Sequence, residues 1–172
     1  MTGVTGLAAA REIAGTVADP ELPMLTLADL GILRDVAAED GHVVVTITPT
    51  YSGCPALREI ARDLEHRLTQ AGFDGTTVRT QLAPAWSSDW ITPDGRRKLQ
   101  AAGIAPPRPA AGHSAAHGPV PLNLTAAPPG RVACPQCGSR DTVQTAAFGA
   151  TACKALLRCE SCREPFEYMK DI

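Results

Sequence analysis

Along the first hundred residues the apolar positions change period several times, and each change predicts an element. Residues 6–17 (GLAAAREIAGTV) have the spacing of a short helix, and the DPELP stretch that follows ends it. Proline lacks the amide hydrogen and clashes with the preceding turn. In GILRDVAAEDGHVVVTITPT, residues 31–50, two β-rich runs flank Asp40-Gly41, a pair suited to the positive φ angles of a tight hairpin. Residues 55–71 return to a helical period, with Leu57, Ile60, Ala61, Leu64, Leu68 and Ala71 on one stripe and Arg58, Glu59, Arg62, Asp63 and Glu65 opposite. TTVRTQL, residues 76–82, predicts a third strand. A helix that follows a hairpin packs back on the sheet, so the expected class is α+β, a small mixed sheet with helices on one face. Trp86 and Trp90 are four apart, which places them on one face of a helical turn that closes the sheet by aromatic packing.

The pattern then stops. Residues 102–130 (AGIAPPRPAAGHSAAHGPVPLNLTAAPPG) hold seven prolines and a single charged side chain, Arg108. No helical or strand period survives there, and the segment reads as a semi-extended Pro/Ala-rich linker. His113 and His117 have helical ligand spacing, but the surrounding Pro and Gly make them solvated linker residues. The expected organisation is a domain over 1–101, a linker over 102–130 and a small module over 131–172.

That last module carries the strongest chemical signal in the chain. CPQC at 134–137 and CESC at 159–162 are separated by 21 residues. Each Cys-x-x-Cys makes a turn presenting two thiolates, and two such turns complete a tetrahedral sulfur site. Some forty residues cannot bury a sufficient core unaided, so the metal is expected to hold a β-ribbon together. Cys134, Cys137, Cys159 and Cys162 are the expected structural zinc ligands. Cys153 is surplus: on an extended strand it would stand about 20 Å from Cys159. It reads as a half-buried strand residue, with an iron–sulfur cluster that recruits it as the alternative to zinc.

Charge and targeting narrow the class. The net charge is -2, and residues 131–172 contain six Lys/Arg against five Asp/Glu. A surface that tracks phosphates needs a larger positive excess, so neither nucleic acid nor an anionic membrane is an expected partner. The start of the sequence has no basic region followed by a long apolar run, and no stretch approaches the roughly 20 apolar residues of a membrane span. The chain is expected in the cytoplasm, where thiols stay reduced and paired cysteines more often bind metal than form disulfides.

Cys54 stands apart from the other five cysteines, in TPTYSGCPALRE at a strand-to-helix junction. Pro55 is favoured at a first helical position, which puts Cys54 at or near the N-cap, where the helix dipole stabilises a thiolate. A reactive or metal-binding thiol and an inert cysteine in a tight turn are equal readings of these residues. A hydrolase nucleophile would need a histidine base. His42 lies in the hairpin turn and His66 on the polar face of the helix, which argues against covalent catalysis. Glu39 and His42 spell Glu-x-x-His only once and in a turn, whereas a di-iron carboxylate site needs two such motifs on helices. No oxygen-activating centre, dinucleotide fingerprint or P-loop is expected, and the chain is read as a non-enzyme.

Asp19-Pro20-Glu21, Leu30-Gly31, and Thr48, Pro49, Cys54 and Pro55 resemble the motifs of iron–sulfur cluster assembly domains of the MIP-eighteen type. Joined with AWSSDWIT, CPQCGS and GATACKALLRCESCREPFEY, they resemble the D-subunit family of phenylacetyl-CoA epoxidases, also called PaaD or PaaJ. The resemblance spares only the linker, which is unusually long and Pro/Ala-rich here. It implies an accessory role in aerobic phenylacetate degradation, in a multicomponent oxygenase whose di-iron site and flavin/iron–sulfur reductase lie on other subunits. The family position of Cys54 is the one tied to transient iron–sulfur or iron handling, and Asp19 and Glu21 lie in its acidic motif. The implied partners are the other epoxidase subunits, above all the iron–sulfur reductase, with general iron–sulfur assembly proteins and a homodimer as further candidates. A structural docking role is the alternative, and a thiol enzyme using Cys54 a third reading.

Overall fold

The computed structural model describes residues 4–108 and 132–172, so His113, His117 and most of the expected linker lie outside the described residues. The chain divides into two compact units, Met1–Ala102 with Ile172, and Gly103–Asp171.

In the first unit, helix α1 (Val4–Gly15) precedes the hairpin β1 (Leu33–Glu39) and β2 (His42–Ile47), followed by α2 (Leu57–Gln70), β3 (Thr77–Thr80) and α3 (Pro93–Ala101). The hairpin turn has Asp40 at φ 49 and Gly41 at φ 84, the two positive angles that match the twist of flanking strands. The sheet order is β1-β2-β3. β1 and β2 are antiparallel, while β2 and β3 are parallel with Val45 opposite Val78. A parallel pair needs a crossover, and α2 supplies it. Its Ile60, Leu64 and Leu68 are buried, as the apolar stripe predicts, and they share the core with Ala10, Ala14, Leu25, Leu27, Val36, Val45 and Ile47. α1 packs on β1 and β2 and against α2, and α2 on β3, so both helices cover one face.

The tryptophans depart from the expected helical turn. Trp86 precedes a short 3-10 turn, Ser88–Trp90, and is buried with its indole N–H donating to Leu30 O at 2.9 Å. Trp90 ends that turn half-buried, its ring under the Arg34 guanidinium at 3.6 Å. A helical turn would have laid the rings side by side; extended backbone at Ser87 separates them. Gly31 makes room for this segment. At φ +68, a Cβ there would stand 2.5 Å from Trp90 Cβ and 2.7 Å from its carbonyl oxygen.

The second unit contains β4 (Ile104–Ala105), β5 (Thr142–Ala146), β6 (Lys154–Cys159) and β7 (Pro165–Met169), in the order β4-β7-β6-β5. β6 is antiparallel to both β5 and β7, and β4 runs parallel to β7. Ile104 and Ala105 were expected to lie within the linker; instead they pair with Glu167 and Tyr168 and are buried. Two apolar residues are enough to close a sheet edge but too few to show a period. Arg108 follows, its backbone N–H and guanidinium both donating to the Asp171 carboxylate at 2.7–2.8 Å.

Candidate metal centre and thiol loop

The two Cys-x-x-Cys turns are built alike. In the first, Cys134 N–H donates to Ser139 O at 2.9 Å, and Gly138, just past the second cysteine, sits at φ 74. In the other, Cys159 N–H donates to Glu164 O at 3.0 Å, and Arg163 takes the equivalent place at φ 67. The turns face each other across a Ser139 Oγ to Ser161 Oγ contact of 2.7 Å. Only Gly138 announces its left-handed backbone in the sequence; Arg163 adopts it without that signal.

This arrangement brings all four sulfurs within 4.8 Å of one another, with Cys134–Cys162 at 3.7 Å and Cys137–Cys159 at 3.6 Å. A metal bound tetrahedrally by thiolates at about 2.3 Å requires sulfurs about 3.8 Å apart, so the group fits one ion. The electrostatics agree. The Cys162 backbone N–H, with help from Ser161 and Cys137, outweighs burial and pulls the Cys159 thiol down to about 6. At Cys162 the Glu164 N–H also pulls down, but desolvation and the neighbouring thiols push it up to about 12. Four sulfurs this close cannot all carry charge unless a cation joins them. The four cysteines form a metal-binding group. Cys153 is outside it: buried just ahead of β6, its Sγ lies 3.0 Å from Thr151 Oγ1, and its carbonyl accepts from Lys170 N–H. It is buried where a half-buried strand residue was expected.

Cys54 is half-buried in the loop between β2 and α2. Its N–H donates to Tyr51 O at 3.2 Å and its carbonyl accepts from Leu57 N–H at 3.4 Å. The helix begins at Leu57 with Ala56 as N-cap, so Pro55 is not its first residue and Cys54 stands two positions ahead of the cap. Cys54 is therefore near the N-cap and not at it, because Pro55 and Ala56 form the body of a separate turn closed by Leu57 N–H. The loop itself is anchored by buried Thr48 and Thr50 and borders a depression of about 250 Å³ lined in part by Thr48–Ser52, Leu82 and Trp86.

Asp19 shapes backbone. It is buried, and its Oδ1 accepts the N–H groups of Glu21 and Leu22, both at 2.9 Å. Glu21 is half-buried. Asp19 also lines a cleft of about 460 Å³ with Glu59, Ile60, Arg62, Asp63 and His66, a lining that includes neither Cys54 nor Glu21. Glu39 binds Arg79 through both oxygens, and His42 Nδ1 meets Asp74 O.

Both units have known relatives. Residues 8–79 match the family described as iron–sulfur cluster assembly protein, and residues 119–170 the family described as PaaD zinc beta ribbon domain. An Escherichia coli protein described as the D-subunit of a "Putative 1,2-phenylacetyl-CoA epoxidase" is 46% identical over 91% of the chain and 87% of its own length. The chain belongs to the PaaD family, the D-subunits of phenylacetyl-CoA epoxidases. This PaaD-family chain is also 33% identical to an "Fe-S protein maturation auxiliary factor" of Porphyromonas gingivalis, over 49% of the chain and 81% of that protein. A domain of unknown function from Bacillus anthracis, solved by crystallography, superposes on 54% of the PaaD-family chain and 90% of its own with a TM-score of 0.50 and 26% identity. Among the described residues, no helix is long and apolar enough to cross a membrane.

Proposed function

We propose that this chain is a non-catalytic maturation factor of the phenylacetyl-CoA epoxidase system, in which Cys54 transiently holds iron or an iron–sulfur cluster on its way to another subunit. The observation that carries the reading is the pairing in one chain of an iron–sulfur assembly unit with a PaaD ribbon. The relative named a maturation auxiliary factor supports the same role for the first unit. Cys54 suits it physically: a half-buried thiol on a loop fixed by buried threonines is reachable without being fully solvated. Asp19 serves as the residue that shapes the neighbouring turn, and Glu21 as its acidic companion. The ribbon metal is zinc, held by Cys134, Cys137, Cys159 and Cys162, since two thiolate turns suit a closed four-sulfur site. The clients are the other epoxidase subunits, with the iron–sulfur reductase first among them.

A docking role has one observation of its own. Val143, Leu156 and Phe148 of the ribbon are exposed, at 44%, 36% and 66%. Co-expression of the Cys54→Ser chain with the other subunits separates the two readings. Maturation predicts an intact complex whose reductase or oxygenase has lost iron and activity. Normal iron loading with a weakened complex contradicts maturation and favours docking.

A further inference from the structure

The four cysteines of the ribbon are not equally exposed. Cys134 and Cys159 are buried, at 2% and 0% exposure, Cys162 is half-buried, and Cys137 is exposed. The turns explain the difference. Each first cysteine donates its backbone N–H across its own turn and packs with Val132, Ala155, Leu157 and Phe166; Cys162 packs partly buried against the same cluster, and Cys137 is outside it. The sulfur of exposed Cys137 is 3.6 Å from that of Cys159, on the opposite turn. An exposed cysteine whose sulfur faces a second one is the arrangement that oxidants modify selectively.

We propose that Cys137 is a peroxide-reactive modification site, and that its oxidation closes a disulfide with Cys159 and opens the metal group. This inference goes beyond the maturation role and rests on the reading of the four cysteines as metal ligands. The Cys137 thiolate attacks one oxygen of a hydroperoxide; an S–O bond forms, the O–O bond breaks, and hydroxide or alkoxide leaves, giving a sulfenic acid. The Cys159 thiolate then attacks the Cys137 sulfur. The S–S bond forms, the S–O bond breaks and hydroxide departs, so the two electrons lost by the thiolates have reduced the peroxide bond. The sulfurs need to close from 3.6 Å to about 2.05 Å, a movement within the reach of side-chain rotation in two facing turns. Only Cys134 and Cys162 then remain as thiolates, too few for a closed tetrahedral site, and the ion is released. The new disulfide joins the same two turns that the ion had joined. Cys153, buried against Thr151, is shielded from this chemistry.

The test uses the full-length chain with its metal content first fixed by elemental analysis. Hydrogen peroxide is added in substoichiometric steps while a chromophoric chelator reports released ion and non-reducing peptide mapping locates the crosslinks. A parallel sample receives limiting N-ethylmaleimide. The expected result is about one ion released per two thiols lost, with Cys137–Cys159 as the first crosslink and Cys137 as the first of the four to be alkylated. A first disulfide within either Cys-x-x-Cys or between Cys134 and Cys162 would overturn the proposal, as would ion release with no disulfide. A metal group that survives peroxide intact overturns it and leaves the metal reading standing, whereas a purified chain that holds no metal sinks both. Because the mapping is done on the unaltered chain, it does not depend on whether Cys137→Ser still folds.

Discussion

Asp29 sits almost buried in the first unit, its carboxylate accepting from Thr26 N–H at 2.9 Å and from Lys98 Nζ at 2.7 Å. Burial pushes its pKa up, but the hydrogen bonds from Lys98 and Thr26 outweigh that and hold it below the ordinary 3.8. A carboxyl whose folded pKa is depressed contributes stability that is present above its unfolded value and is lost as pH falls through the folded one. Asp29→Asn is therefore expected to cost about 1–3 kcal/mol in urea unfolding at neutral pH, with the deficit shrinking in acid. Sequence patterns stop short at this scale. The glycine and proline around Cys54 mark a junction correctly, yet proline after a cysteine fits a pre-helical turn as well as a first helical residue. Only the Leu57-to-Cys54 hydrogen bond decides between them. Asp19 stands out in the sequence by motif alone, and its hydrogen bonds to Glu21 and Leu22 N–H supply a physical reason for an aspartate there.

Among the elements, α2 was legible because its period is strong: Ile60, Leu64 and Leu68 fall three to four residues apart on one buried stripe. Leu64→Ala leaves a cavity under the sheet and is expected to cost about 2–5 kcal/mol in chemical denaturation. The hairpin was legible for the same reason, its Asp-Gly turn being specified by backbone sterics. α3 was not. Only Gly95 and Leu99 of its nine residues are buried, so no apolar stripe exists to read, although Thr92 caps it by accepting from Gly95 N–H, with Pro93 at the first position. Gly31 is a comparable case, since its need for glycine comes from Trp90, distant in sequence. Gly31→Ala is expected to destabilise the unit by about 1–3 kcal/mol from backbone strain alone, before the clash with Trp90 is counted. A thermal shift of several degrees, with Trp90 becoming more exposed by fluorescence, would check it.

At the level of the whole molecule, the two units depend on different forces. The first has an ordinary apolar core, whereas the ribbon's core of Ala105, Val132, Ala155, Leu157, Phe166 and Tyr168 is small and includes two of the metal-binding cysteines. Removal of the ion by a strong chelator is expected to abolish hydrogen-exchange protection in β5, β6 and β7 while β1, β2 and α2 keep theirs. Equal loss in both units would contradict that division. The proposed delivery of iron to a client is open to a transfer experiment. Iron and sulfide are loaded anaerobically onto the chain, excess is removed, and the chain is mixed with epoxidase reductase stripped of its iron. The cluster absorbance is expected to move to the reductase and to restore electron transfer, and the Cys54→Ser chain, its ribbon intact, is expected to fail to deliver. Delivery no better from the unaltered chain than from Cys54→Ser, or from free iron and sulfide, would contradict it.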